Sequence, residues 1–349
     1  MRLWSEYDIR EYLAQHEGDG LKASVAQWSD ILRDLGVEGR VAFYGQGRSS
    51  RIPFGDVGSA HVFLTMLAEA NPHLEITGEI GANIFSRARE TKDETELAAL
   101  RQVGELAGRV VENVFDFLAS HRAADEVLIK PDGTPLTIGD VKTYIRLETA
   151  RLNLEETHEN IFSQGRDAGV PHNRGQYDMP LRLGQTIIFD YFPRDRESGY
   201  FHDMTRTFFL GYAPDDLAER WRQVKIIFDR VLDALQVGEE CRKYQEMTND
   251  YFESLGYPTT RSDRKTTVGY VHSLGHGIGL DIHEGPALIS IPGYDATLEP
   301  GHVVTVEPGL YYPDDGWGVR IEDSVAFDEQ GRLVNLSTAP HLMVLKING

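Results

Sequence analysis

Four apolar runs in the second half of the chain decide most about how it can fold: TIIFDYF (186–192), TRTFFLGY (205–212), HVVTVEPGLYY (302–312) and GVRIEDSVAF (318–327). Each reads as a strand, and each carries or adjoins a carboxylate where Ser, Thr or Gly would be expected. An ionised carboxylate buried without a partner is costly. A chain that gathers four of them at the ends of apolar strands therefore needs positive charge at the point where the strands meet.

The positions are specific. Asp190 closes TIIFD and Asp203 opens DMTRTFF, thirteen residues later, so a hairpin would present both carboxylates at facing ends. Period-2 geometry puts Asp203, Thr205 and Thr207 on one face, and Arg320 on the face of Glu322. His276 lies in GHGIGLDIHEGP, and Glu307 follows HVVTV just before Pro308-Gly309. His272 and His276, four apart, share a face. Taken singly, these residues have ordinary readings as a turn-forming Asp, a solvated Glu or a structural His. GHGIG lacks the Lys-Ser or Lys-Thr of a phosphate loop. As a set they read differently, because two divalent cations would match four negative charges, and carboxylates with few imidazoles suit manganese, iron, cobalt or zinc. His202 alternates away from Asp203 and is read as no ligand, and His302 and His341 as surface or packing residues. Asn335-Leu336-Ser337 fits a glycosylation pattern that carries no weight in a cytoplasmic protein.

At 349 residues, two domains are expected. A composition of 41% hydrophobic and 26% charged residues is globular, and the net charge of −20 argues against nucleic-acid binding. No run approaches a membrane span. The charged N-terminus is no signal peptide, and a lone cysteine, Cys241, suits a reducing cytoplasm. Helices are expected over 20–36, 62–70, 137–153, 214–236 and 239–254, with a short strand at 40–45. A long amphipathic helix should follow a domain change near 85–92, with Leu97, Leu100, Val103, Leu106, Val110, Val114 and Phe117 as its stripe. Helices set apart from mixed strands give an α+β fold.

The segments DMTRTF, GHGIGLDIHE, VEPGLY and GVRIED, in this order, resemble the pita-bread metallopeptidases, which include methionine aminopeptidase, aminopeptidase P and prolidase. The resemblance covers roughly residues 90–349. It implies a pita-bread (creatinase/aminopeptidase) catalytic domain over 91–349, preceded by a shortened creatinase-like α/β domain over 1–90 whose usual first half is missing. It also implies that Asp190, Asp203 and Glu322 hold one metal and that Asp203, His276, Glu307 and Glu322 hold the other, with manganese first among the candidate ions. His172, His272 and His283, Arg320 and Tyr311 would fall on the family's substrate-side and active-site positions. The implied activity is hydrolysis of Xaa-Pro bonds in short peptides by a cytoplasmic homodimer, of aminopeptidase P or prolidase type. In that scheme a water shared by two metals is deprotonated, Glu307 shuttles the proton, His283 and His172 meet the charge that develops, and Arg320 orients Glu322 or binds a substrate carboxylate. Two alternatives are a metal-free creatinase-like amidinohydrolase and a peptidase-like binding module without activity. The chain departs from the family in having Asp190-Tyr191-Phe192 in place of Asp-x-Gly, and a loop before Asp203 about two residues longer, which could change substrate access.

Overall fold

The computed structural model describes residues 6–43, 57–78 and 83–347, and the chain divides into two compact units, up to Asn83 and from Ile84 onward. In the first unit, helices Ile9–Gln15, Gly20–Asp34 and Val57–Ala70 accompany two parallel strands, Gly39–Ala42 and Leu74–Thr77. Asp19 caps the second helix by accepting from the Leu21 and Lys22 amides. Val25, Leu32, Phe63, Leu67 and Leu74 form the core of this unit. The polar stretch before residue 20 contains a short helix that the sequence pattern did not suggest. The end of the expected strand at 40–45 lies outside the described residues.

The second unit is built on two cores. The helix Glu94–Ala119 starts at a capping box, Asp93 with Glu96, and Ile138–Arg151 starts at another, Thr137 with Asp140. These helices pack on Phe162, Ile187, Phe189, Met204 and Phe208. The long helix buries a broader face than the expected stripe, because Gly104, Ala107, Gly108 and Val111 are buried too. Helices Asp215–Ala234 and Cys241–Ser254 pack on Val304, Val306, Val325 and Phe327 to make the second core.

Strands Val344–Leu345, Met204–Leu210, Thr186–Tyr191 and Ile161–Gln164 form one sheet in that order. A second sheet runs Glu284–Leu288, Gly275–Gly277, Val303–Val306, Asp323–Phe327, Leu333–Asn335. The TIIFDYF run is buried on both faces, which is why it reads as continuously apolar. Ile187, Phe189 and Tyr191 face the first core, while Ile188 packs with Ile161, Ala168 and Tyr311 on the face that carries Asp190.

Two of the expected strands are broken. HVVTVEPGLYY forms Val303–Val306 in the second sheet and then Gly309–Tyr312, which leaves that sheet to pair with Trp317–Arg320 and to bridge Gly269. GVRIEDSVAF breaks likewise between Arg320 and Asp323. Glu307 and Glu322 sit at these two breaks. No helix among the described residues is long and apolar enough to cross a membrane.

Candidate metal centre

Asp190 and Asp203 come together through the antiparallel pairing of Thr186–Tyr191 with Met204–Leu210, in which Asp190 lies opposite Thr205. The loop between them is pinned. Arg194 donates to Glu155 (2.6 Å), Asp195 accepts from Ser198 (2.8 and 2.6 Å), and the Tyr200 hydroxyl donates to Glu96 (2.6 Å). Glu322 joins them through a bridge to Thr205, whose hydroxyl also donates to Glu322 Oε2 (2.6 Å).

Asp203, His276 and Glu322 each place a ligand atom within 4.8 Å of the others. His276 Nε2 lies 3.7 Å from Asp203 Oδ2 and 3.6 Å from Glu307 Oε1. Its Nδ1, 3.0 Å from the Gly277 carbonyl, carries the ring proton. Burial, reinforced by His283, holds this imidazole down to about 4, so it is neutral and Nε2 presents a lone pair. An imidazole lone pair and two carboxylates thus face one another with no proton donor between them. Asp190 Oδ1 and Asp203 Oδ1 are buried and find no hydrogen-bond partner among the described residues. Burial and mutual repulsion push the carboxyls of Asp203 and Glu307 well up, and burial with the Asp190 charge pushes Glu322 up to about 8. Acceptors converging in this way fit a divalent cation, and oxygen donors with one imidazole fit the metals named above.

Around this cluster lies a second layer of hydrogen bonds. The Arg320 guanidinium donates to Asp190 Oδ2 (2.7 Å), Thr205 Oγ1 (3.0 Å), the Tyr311 hydroxyl (2.8 Å) and the Pro171 carbonyl (3.2 Å). His272 donates from Nδ1 to the Ser273 carbonyl (2.7 Å) and accepts at Nε2 from the Tyr311 hydroxyl (2.9 Å). These contacts show what three of the expected site residues touch. Arg320 is 3% exposed and bonds Asp190 directly and Glu322 through the Thr205 hydroxyl. Tyr311 is fully buried and links Arg320 to His272. Both ring nitrogens of His272 make hydrogen bonds.

The imidazoles open to solvent are elsewhere. His283 is exposed, with its ring edge on His276 (centroids 4.3 Å apart), and burial of its inner edge together with His172 lowers its basicity. His172 is exposed on the loop after Asp167–Gly169, and its field reaches both His272 and His283. His158, which sequence reasoning passed over, also acts on His283. It lies three residues before Ile161, the partner of Asp190, and only that pairing brings it near the site. Thr205 was legible as sharing a face with Asp203, but its bond to Glu322 needed the strand register. His302 is buried and accepts from the Glu299 amide (3.0 Å), a packing role.

Comparison with known proteins gives matches along most of the chain. The model of metallopeptidase family M24 matches residues 98–329. A protein named probable dipeptidase PepE from Mycobacterium tuberculosis is 29% identical over 270 residues, 76% of this chain and 63% of that protein. A Xaa-Pro dipeptidase from Pyrococcus furiosus is 28% identical over 246 residues, 70% of this chain and 62% of its own length. The chain thus spans less than two thirds of these curated relatives. Among solved structures, an X-Pro aminopeptidase from Thermotoga maritima superposes with a TM-score of 0.71 at 23% identity, covering 92% of this chain and 79% of that one. The α+β expectation and the pita-bread fold agree with this likeness.

Proposed function

The chain belongs to metallopeptidase family M24, and from that premise we propose that it is a metal-dependent exopeptidase that hydrolyses Xaa-Pro peptide bonds, of the aminopeptidase P or prolidase type, using two divalent ions. The observation that carries the reading is the set of facing acceptors, the His276 lone pair with Asp203, Glu307 and Glu322. A metal-free amidinohydrolase would have to keep these groups pointed at one another without compensation. The ligands we assign are Asp190, Asp203 and Glu322 for one ion and Asp203, His276, Glu307 and Glu322 for the other, with manganese first. The chemistry the ions supply when bound is acidification of a water and polarisation of the peptide carbonyl.

The chain's own residues do the rest. Glu307, with Oε1 3.6 Å from His276 Nε2, is placed to take the water proton and pass it to the leaving nitrogen. His283 and His172 meet the charge developing on the carbonyl oxygen and the scissile amide. Arg320, Tyr311 and His272 hold Asp190 and the wall beside Glu307 in place. The substrate is a short peptide. Residues 1–90 are read as a creatinase-like domain, with a homodimer as the assembly and, from the lone buried cysteine, the cytoplasm as the compartment.

Proline preference follows from the amide itself. A Xaa-Pro bond has no N–H, so a site offering no acceptor there loses nothing by taking it, and the ring's fixed φ lowers the ordering cost. With ion content measured and each candidate metal supplied, kcat/KM for an Ala-Pro substrate should exceed that for the matched Ala-Ala substrate by at least tenfold, about 1.4 kcal/mol. Equal rates would leave a peptidase without the Xaa-Pro specificity, and no bound ion would remove the metal reading altogether.

A further inference from the structure

The segment that leaves the strand Leu333–Asn335 runs as a strap to His341, and its residues do two jobs, Leu336 sharing in both through its amide bond to the Ser324 carbonyl (2.9 Å). The odd-numbered residues reach the strands that carry Asp203 and Glu322. The Asn335 amide, the acceptor of the glycosylation-like pattern, donates to Asp323 Oδ2 (2.7 Å). Ser337 Oγ accepts from the Ser324 amide (3.1 Å) and lies 3.1 Å from His202 Nε2. The Ala339 carbonyl accepts from Arg206 Nε (3.1 Å) and Nη2 (2.6 Å), and His341 Nε2 lies 3.2 Å from Asp323 Oδ1.

Leu336 and Thr338 lie on the helix Glu94–Ala119. A Cβ on Gly104 would stand 2.2 Å from the Leu336 carbonyl oxygen, and one on Gly108 would stand 2.0 Å from Thr338 Oγ1. Two glycines one turn apart thus form the groove in which the strap is seated. The groups it holds are tied in turn to the two carboxylate-bearing backbones. Arg206 Nη1 donates to the carbonyls of Glu322 (2.7 Å) and Thr205 (3.0 Å), and Nη2 pairs with Asp323 (2.8 Å). Ser324 Oγ donates to the Asp203 carbonyl (2.8 Å) and faces the Asp203 amide (3.3 Å).

We propose that the strap Asn335–His341, seated on Gly104 and Gly108, is a positioning element that sets the ion affinity of the site by fixing the backbones of Asp203 and Glu322. This rests on the reading of those two residues as ligands. Such a strap acts at one remove, and outer supports of metal ligands are worth between ~10-fold and ~100-fold in affinity.

Ser337→Ala and Gly108→Ala test it, with Gly108→Ala/Thr338→Ala as a rescue, because the second change removes the hydroxyl the new methyl would strike. The measurements are ion retention against graded chelator, kcat and KM at saturating metal, and hydrogen exchange over residues 203–207 and 320–325 in the metal-free protein. Both single variants should hold ions at least tenfold more weakly, with KM unchanged and exchange in those two segments accelerated, and the double variant should recover much of the affinity. Variants that melt earlier yet retain ions and exchange like the wild type would overturn the proposal, since that is what a merely structural strap does. If Gly108→Ala does not fold, Ser337→Ala alone decides. If the wild type itself holds no ion, the function reading fails, and the exchange rates still judge the strap.

Discussion

Glu322 and Asp323 are neighbours in the chain, 2% and 1% exposed, and the structure treats them in opposite ways. Burial and the charge of Asp190 push Glu322 up to about 8, and among the described residues the donor to its carboxylate is the Thr205 hydroxyl. Burial would raise Asp323 as well, but Arg206, with His341 and Asn335, outweighs it and holds that carboxyl below its ordinary value. One side of the strand is a completed network, the other a set of four carboxylates with one guanidinium, Arg320, as counter-charge among the described residues. Completed networks rigidify a fold, whereas a buried group left unsatisfied marks a place where something else belongs.

The most severe way to probe the difference is on the unsatisfied side. Asp203→Asn should abolish ion retention and lower kcat/KM by at least ~10³-fold, the several kcal/mol a metal supplies. A variant that keeps its ions and normal turnover would break the contrast. His283→Ala should lower kcat by ~10²–10³-fold with ion content unchanged, as for a lost oxyanion donor. Loss of ions in that variant would move His283 among the ligands. In the layer around the cluster, Tyr311→Phe cuts the link between Arg320 and His272. It should cost about tenfold in activity while leaving the ions bound, the effect of an outer support. A loss as large as that of Asp203→Asn would mean the brace is part of the cluster.

The smallest effect is on stability, and its sign differs between the two neighbours. Without metal, native Glu322 keeps its proton up to about pH 8, while in the unfolded chain it releases it near 4.5. The native state binds more protons across that window, so stability falls as pH rises through it. Asp323 behaves conversely, its contribution being complete above the unfolded value and lost only as pH falls through the lower native one. Chelated protein should therefore melt lower at pH 8 than at pH 5, by roughly 5 °C. Metal-loaded protein should show no such fall, because a ligand bound to the native state stabilises it. Calorimetry giving the same downward slope with and without metal would sink the attribution to Glu322 and the raised carboxyls beside it, Asp203 and Glu307.

How much of this was readable beforehand depended on how local the signal was. Asp190, Asp203, Glu307 and Glu322 were conspicuous because apolar strands rarely end in carboxylates. The longer helices were readable from their apolar spacing, and the long helix's extra burial was partly hidden because Gly104 and Gly108 carry no hydrophobic signal. The breaks at Glu307-Pro308 and Ile321-Glu322 were hidden because each run stays apolar straight through its change of partner. The occupied donors of Arg320 and Tyr311 could not be read either, since alternation gives a face and not what the face meets. His341 and Asn335 looked incidental for the same reason, their partner Asp323 being reached only through the folded chain.

The interleaving of the strands also bears on how the second unit comes apart. Val303 and Ala326 belong to the first core, whereas Val304, Val306, Val325 and Phe327 on the same two strands belong to the second. Met204, Phe208 and Leu210 likewise face one core while Phe209 faces the other. Neither core can lose its sheet without stripping alternate side chains from its neighbour. The unit is therefore expected to melt as one cooperative block, with near-identical transitions by fluorescence and far-ultraviolet dichroism. Because its contacts join segments more than a hundred residues apart, it should also refold slowly for its size.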